Sequence, residues 1–157
     1  MGWYRALRWT EKMTSGPIVH FEFGGDGEST RRSRLAYENG DTEQLKLTGV
    51  GADLYRLEES SFAGDAVYGD VIRARGTPGG ALLFVKIVER SNLETQSWIL
   101  SAEILATEEV QQILDVVTKA GGMWEQAFGG LLLIHTPASI TKTIFDRISN
   151  FSSSRNG

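Results

Sequence analysis

Apolar residues recur at every second position in several short stretches of the first two thirds of this 157-residue chain, and at every third and fourth position in much of the last third. No other feature constrains the fold as strongly. A two-residue period is that of a half-buried strand, whereas spacing at i, i+3, i+4 and i+7 is that of a helix with one buried face. Val19, Phe21 and Phe23 alternate with Ile18, His20 and Glu22, which predicts a strand over 17–23. Leu45 and Leu47 alternate with Gln44 and Lys46, and 43–57 reads as a hairpin turning at 49–53. Further strands are expected at 71–75, 81–89 and about 95–102. In 81–89 both alternating sets are largely apolar, which predicts a central strand covered on both faces. Residues 24–42 are polar and Gly-rich, carry Arg31, Arg32 and Arg34, and are expected to form a loop.

The period then changes. Thr107 is placed to cap a helix whose first turn holds Glu108 and Glu109, and Val110, Ile113, Leu114 and Val117 form its apolar stripe. Gly121-Gly122 ends it. Residues 123–126 and 131–135 read as two strands about a turn. Pro137 opens a second helix whose buried face is Ile140, Ile144, Ile148 and Phe151. The expected class is α+β, with an N-terminal antiparallel, barrel-like curled sheet followed by a β-α-β-β-α layer. Residues 1–16 read as an appendage, 17–151 as a single α+β domain, and 152–157 as a flexible tail.

Composition narrows the functions. There is no cysteine, which excludes disulfides, Cys-type zinc sites and a Cys nucleophile. Nothing approaches the run of ~18 apolar residues that a membrane helix needs. Arg5, Arg8, Glu11 and Lys12 interrupt any signal-peptide-like run, so a cytoplasmic protein without membrane association is expected. The net charge is −4. Six basic and four acidic residues fall in 1–34, leaving 10 and 16 in 35–157. That acidic body disfavours a phosphate backbone as partner.

Few residues offer chemistry. Gly24-Gly25-Asp26-Gly27-Glu28 lacks the Lys-Ser/Thr ending of a phosphate-binding loop, and its acids repel phosphate. The two histidines, His20 beside Glu22 and His135 in phase with Leu131 and Leu133, bring no third ligand near them in sequence. No metal or cofactor is therefore expected. Ser91, Asn92, Thr95 and Ser97 cluster without a nearby base and are explained by turn chemistry. Glu58, Glu59, Asp65 and Asp70 flank an apolar loop with Phe62, Val67 and Tyr68, while Trp124 and Phe128 flank a Gly-bounded turn. Carboxylates with aromatic anchors suit a protein surface.

From about Asp53 to Ile148 the chain resembles a bacterial family, domain-of-unknown-function family 4265. The motifs are Tyr55-Arg56-Leu57, then Ser61-Phe62-Ala63, then Val67-Tyr68-Gly69-Asp70-Val71-Ile72, then Val88-Glu89-Arg90-Ser91 with Thr95 behind it, and the C-terminal run through Thr136-Pro137. Ser61, Asn92 and Ser97 depart from the family pattern, which tends to Pro, Gly and Arg there. The resemblance implies a fold and no activity. By analogy with small acidic immunity proteins, the expected function is non-catalytic protein binding, either neutralising a bacterial toxin or regulating a partner. The expected contacts are Glu58, Glu59, Phe62, Asp65, Tyr68 and Trp124. Two alternatives stand beside it. One is an enzyme acting on a small molecule or nucleotide through His20 or His135 with a carboxylate. The other is a nucleic-acid-binding barrel using Arg31, Arg32, Arg34, Arg73 and Arg75.

Overall fold

The computed structural model describes residues 20–22 and 29–153. The appendage expected at 1–16, most of the strand expected at 17–23 and most of the tail lie outside them. The chain divides into two compact units, one spanning Pro17–Asn92 and one containing Leu93–Gly157. The class is α+β.

The first unit is a closed sheet. Its strands are β1 (His20–Glu22), β2 (Ser29–Ala36), β3 (Thr42–Gly51), β4 (Leu54–Leu57), β5 (Val71–Gly76) and β6 (Leu82–Glu89). They follow one another antiparallel in sequence order, and a parallel pairing of β2 with β6, Leu35 opposite Leu82 and Ala36 opposite Leu83, closes β2 through β6 into a ring. Closure removes most of the open edge of a curled sheet. Register shifts between Gly49 and Gly51, and at two places in the β5–β6 pairing where β6 carries an extra residue, bend the strands enough to close. Inside lie Leu35, Leu45, Leu47, Leu57, Ala66, Ile72, Ala74 and Leu82, with Tyr37, Tyr55, Phe84 and Ile87 packed against them.

Two expectations for this unit are corrected. Arg31, Arg32 and Arg34 do not lie in a loop; all three are in β2. Ser33 and Leu35 share the inward face, while Thr30 and Arg32 face outward. There Thr30 bonds Thr48 at 2.6 Å and Arg32 pairs with Glu59 at 3.5 Å. The polar run hid the strand because a barrel wall needs apolar residues on one side only, and the stems of Arg32 and Arg34 lie along the other. β6 is likewise not covered on both faces. Val85 and Val88, 42% and 45% exposed, are the two residues of this strand that the register shifts leave without an opposite partner in β5, and the bulges turn them to solvent.

The second unit is a three-stranded antiparallel sheet with three helices among the described residues. Its elements are β7 (Glu94–Ile99), α1 (Ala102–Leu105), α2 (Glu108–Lys119), β8 (Met123–Ala127), β9 (Leu131–Thr136) and α3 (Ala138–Ser153). The strand order is β7-β9-β8. Thr107 caps α2 as its sequence requires, its hydroxyl accepting from Val110 N–H at 3.4 Å. Val110, Ile113, Leu114 and Val117 are buried, as are Ile144 and Ile148 of α3. These side chains meet Trp124, Leu132 and Ile134 from one face of the sheet. The single turn of α1, capped by Ser101, stands where the strand was expected to run on to 102. No described helix is long and apolar enough to cross a membrane.

Candidate functional site

The loop between β4 and β5, residues 58–70, has no strand or helix, yet side-chain bonds hold it along its length. At its start Glu58 Oε1 accepts from Thr48 Oγ1 at 2.8 Å and from Arg56 Nε at 3.2 Å. Glu59 accepts from the Lys46 backbone N–H at 3.1 Å while facing Arg32. In the middle, Glu43 points from β3 into the loop. It accepts from Ser61 Oγ at 2.5 Å, from Tyr37 Oη at 2.5 Å and from Phe62 N–H at 3.1 Å. Ser60 Oγ receives Tyr68 N–H at 3.0 Å, and Ala66 is buried among the barrel residues. Burial, reinforced by the neighbouring Glu43 carboxylate, pushes the Tyr37 phenol well above the ordinary tyrosine value.

Asp70 closes the loop and is 1% exposed. Its Oδ1 accepts Ser91 N–H at 2.7 Å; its Oδ2 accepts Val67 N–H at 3.0 Å and Arg90 Nη1 at 3.2 Å. Gly69 has φ +87, and a Cβ there would come 2.7 Å from Ser91 Oγ, so glycine is required on two counts. The Gly69-Asp70 and Arg90-Ser91 motifs, distant in sequence, are thus two halves of one clasp.

Of the six expected contact residues, Asp65 is exposed, and Phe62 and Tyr68 are partly exposed. Glu58 and Glu59 are also partly exposed, but each already faces an arginine. Trp124 is corrected. It is 2% exposed and packs in the helix-covered core of the other unit, because its alternating phase matches Leu132 and Ile134 across the sheet. Phe128 is the aromatic of that turn left outside, 62% exposed at φ +53.

Of the histidines, only the backbone of His20 is described, paired with Arg31. His135 is fully buried, with Nε2 at 2.7 Å from Glu125 Oε2 and Nδ1 at 2.8 Å from Thr95 Oγ1. Glu125, 2% exposed, was not singled out from the sequence. The signal was there, since a carboxylate in phase with Met123 and Ala127 in a buried strand needs a partner. Arg34, Arg73 and Arg75 are exposed, while Arg31 and Arg32 are partly buried. Among the described residues no three His, Asp or Glu side chains converge as a metal site.

No family model matches the chain, and no curated protein matches it. In fold it is similar to a solved structure described as a hypothetical protein from Neisseria gonorrhoeae, with a TM-score of 0.53 and 14% identity over 79% of this chain and 89% of that one. At that identity the likeness concerns fold alone.

Proposed function

We propose that this protein is a partner-binding domain whose contact surface is the loop 58–70, with Phe62, Asp65 and Tyr68 meeting the partner. One observation carries the reading. An irregular segment is held by bonds from Glu43, Ser60, Ser61 and Asp70 while Asp65 stays exposed and Phe62 and Tyr68 stay partly exposed. A loop ordered in advance loses little entropy on binding, and part-exposed aromatics are the commonest anchors of protein interfaces. The net charge of −4 favours a basic partner, which is the charge logic of a toxin-neutralising immunity protein. A cytoplasmic location belongs to the same reading, and the cysteine-free sequence supports it. The motifs resembling family 4265 fall largely on this loop and its clasp, so membership of that family is part of the proposal.

The test is titration of the purified chain against the product of the adjacent gene. A complex at micromolar concentration or tighter is expected, weakened at least tenfold by Phe62→Ala or Tyr68→Ala with unchanged thermal stability. No complex, or a complex indifferent to both substitutions, overturns the reading.

A further inference from the structure

Three polar side chains of the second unit form one hydrogen-bonded line across its sheet. Thr95 on β7 lies directly opposite His135 on β9, and His135 lies opposite Met123 on β8. Glu125 follows two residues after Met123 and so shares its face, on the diagonal from His135. The face is the one turned away from Trp124, Leu132 and Ile134. From this register come the two short contacts, His135 Nε2 to Glu125 Oε2 at 2.7 Å and His135 Nδ1 to Thr95 Oγ1 at 2.8 Å.

The line has a direction. An ionised carboxylate only accepts hydrogen bonds, so in the neutral form of the ring its proton lies at Nε2, facing Glu125. Nδ1 then carries the lone pair, and the Thr95 hydroxyl donates to it. That is the ground state of a hydroxyl nucleophile paired with its base and the base's orienting acid. Burial is graded along the same line. His135 and Glu125 are sealed in at 0% and 2%, whereas Thr95 is exposed on a strand with one sheet neighbour among the described residues. An apolar trio would hold three strands together as well or better, since burying a hydrogen-bonded ionic pair gains little net stability. The buried pair is accounted for by what it does to the exposed hydroxyl.

We propose that Thr95, His135 and Glu125 form an acyl-transfer site, with Thr95 Oγ1 attacking, His135 Nδ1 as base and Glu125 as the positioning residue. The substrate class is an uncharged activated ester or thioester. Residues 93–153 carry seven carboxylates against Lys119, Lys142 and Arg147, which repels phosphate esters. Thr95 Oγ1 bonds to the carbonyl carbon as its proton passes to Nδ1. The resulting imidazolium is held by Glu125. The C–O or C–S bond to the leaving group then breaks, and the leaving group takes that proton from Nδ1. Water, deprotonated by the same nitrogen, attacks the acyl-threonine. The acid departs, and the proton returns to Thr95 Oγ1.

The experiment uses the full chain and p-nitrophenyl acetate, following release of nitrophenolate and mapping acetylated peptides. Expected are a burst stoichiometric with protein, acetyl on Thr95, and a rate that rises with pH and levels off once the imidazole is neutral. Thr95→Val, at an exposed position that leaves the fold intact, removes the burst, and Thr95→Ser keeps it. His135→Gln slows it by about 10²-fold or more, the usual worth of a general base. Acetylation elsewhere than Thr95, or a pH-independent rate, overturns the proposal. So does a rate unchanged in folded His135→Gln or Glu125→Gln. If His135→Gln does not fold, the pH profile and Glu125→Gln decide alone.

Discussion

Replacing Asp70 by alanine tests whether the clasp of loop 58–70 rests on its backbone bonds or on its ion pair. The carboxylate accepts the N–H groups of Ser91 and Val67 at 2.7 and 3.0 Å, and Arg90 Nη1 at 3.2 Å. Each backbone donor left without an acceptor costs ~1–3 kcal/mol, and both bonds are only part-buried, so the low half of that range applies to each. The Arg90 side chain is 63% exposed, and water screens its share to about 0.5 kcal/mol. Asp70→Ala is therefore expected to cost roughly 3 kcal/mol, and Arg90→Ala under ~1 kcal/mol, since Asp70 keeps both backbone donors. Urea unfolding of the two variants gives the energies from midpoint and slope. Amide hydrogen exchange at Val67 and Ser91 locates the effect, with faster exchange at both expected in Asp70→Ala and in neither for Arg90→Ala. Equal losses in the two variants would refute the reasoning, as would unaltered exchange at Val67 and Ser91 in Asp70→Ala.

Two further outcomes are expected. The Tyr37 phenol titrates above its ordinary value of 10.0 in the folded protein, so above about pH 10 the unfolded chain releases this proton while the folded one keeps it. Stability then falls with rising pH, by at most ~1.4 kcal/mol per pH unit from this group, and Tyr37→Phe removes that part of the slope in alkaline urea titrations. Gly122→Ala places a Cβ against the His135 backbone oxygen and 2.9 Å from Val117 Cγ1. It is expected to cost about 1–3 kcal/mol in thermal or urea unfolding, whereas Gly76→Ala, with open space around it, costs little.

The parts legible from sequence are those in which one residue type has one use. A Thr cap with two following glutamates and an i, i+3, i+4, i+7 stripe has no good alternative to a helix, and α2 is where the pattern puts it. The hairpin of β3 and β4 was legible for the same reason. β2 was not, because Arg31, Arg32 and Arg34 signal solvent in a one-dimensional reading, and only lateral partners such as Thr48 and Glu59 show that they sit in a wall. Trp124 illustrates the converse. An aromatic near a turn suits a surface anchor or a core, and its phase against Leu132 and Ile134 is decided by register. The line from Thr95 through His135 to Glu125 joins residues 40 and 10 positions apart, and no spacing within the chain announces it. The Asp70 clasp was visible only as a motif without a reason; its partners lie 20 and 21 residues away.

The barrel's seam has a consequence for how the first unit is made. Four of its five joints link strands that are neighbours in sequence, the longest connection among them being the loop 58–70. The fifth joins Leu35 to Leu82, 82 − 35 = 47 residues on, through two residue pairs. Until β6 has formed, whether in refolding or as the chain emerges during synthesis, the end of β2 that it will pair carries unpaired backbone groups. Joints between sequence-distant strands form late, because the entropy of closing the long loop is spent before the contacts return it. The first unit is therefore most exposed to edge-to-edge association in the interval before that seam closes, with β2 as the strand another chain would meet first.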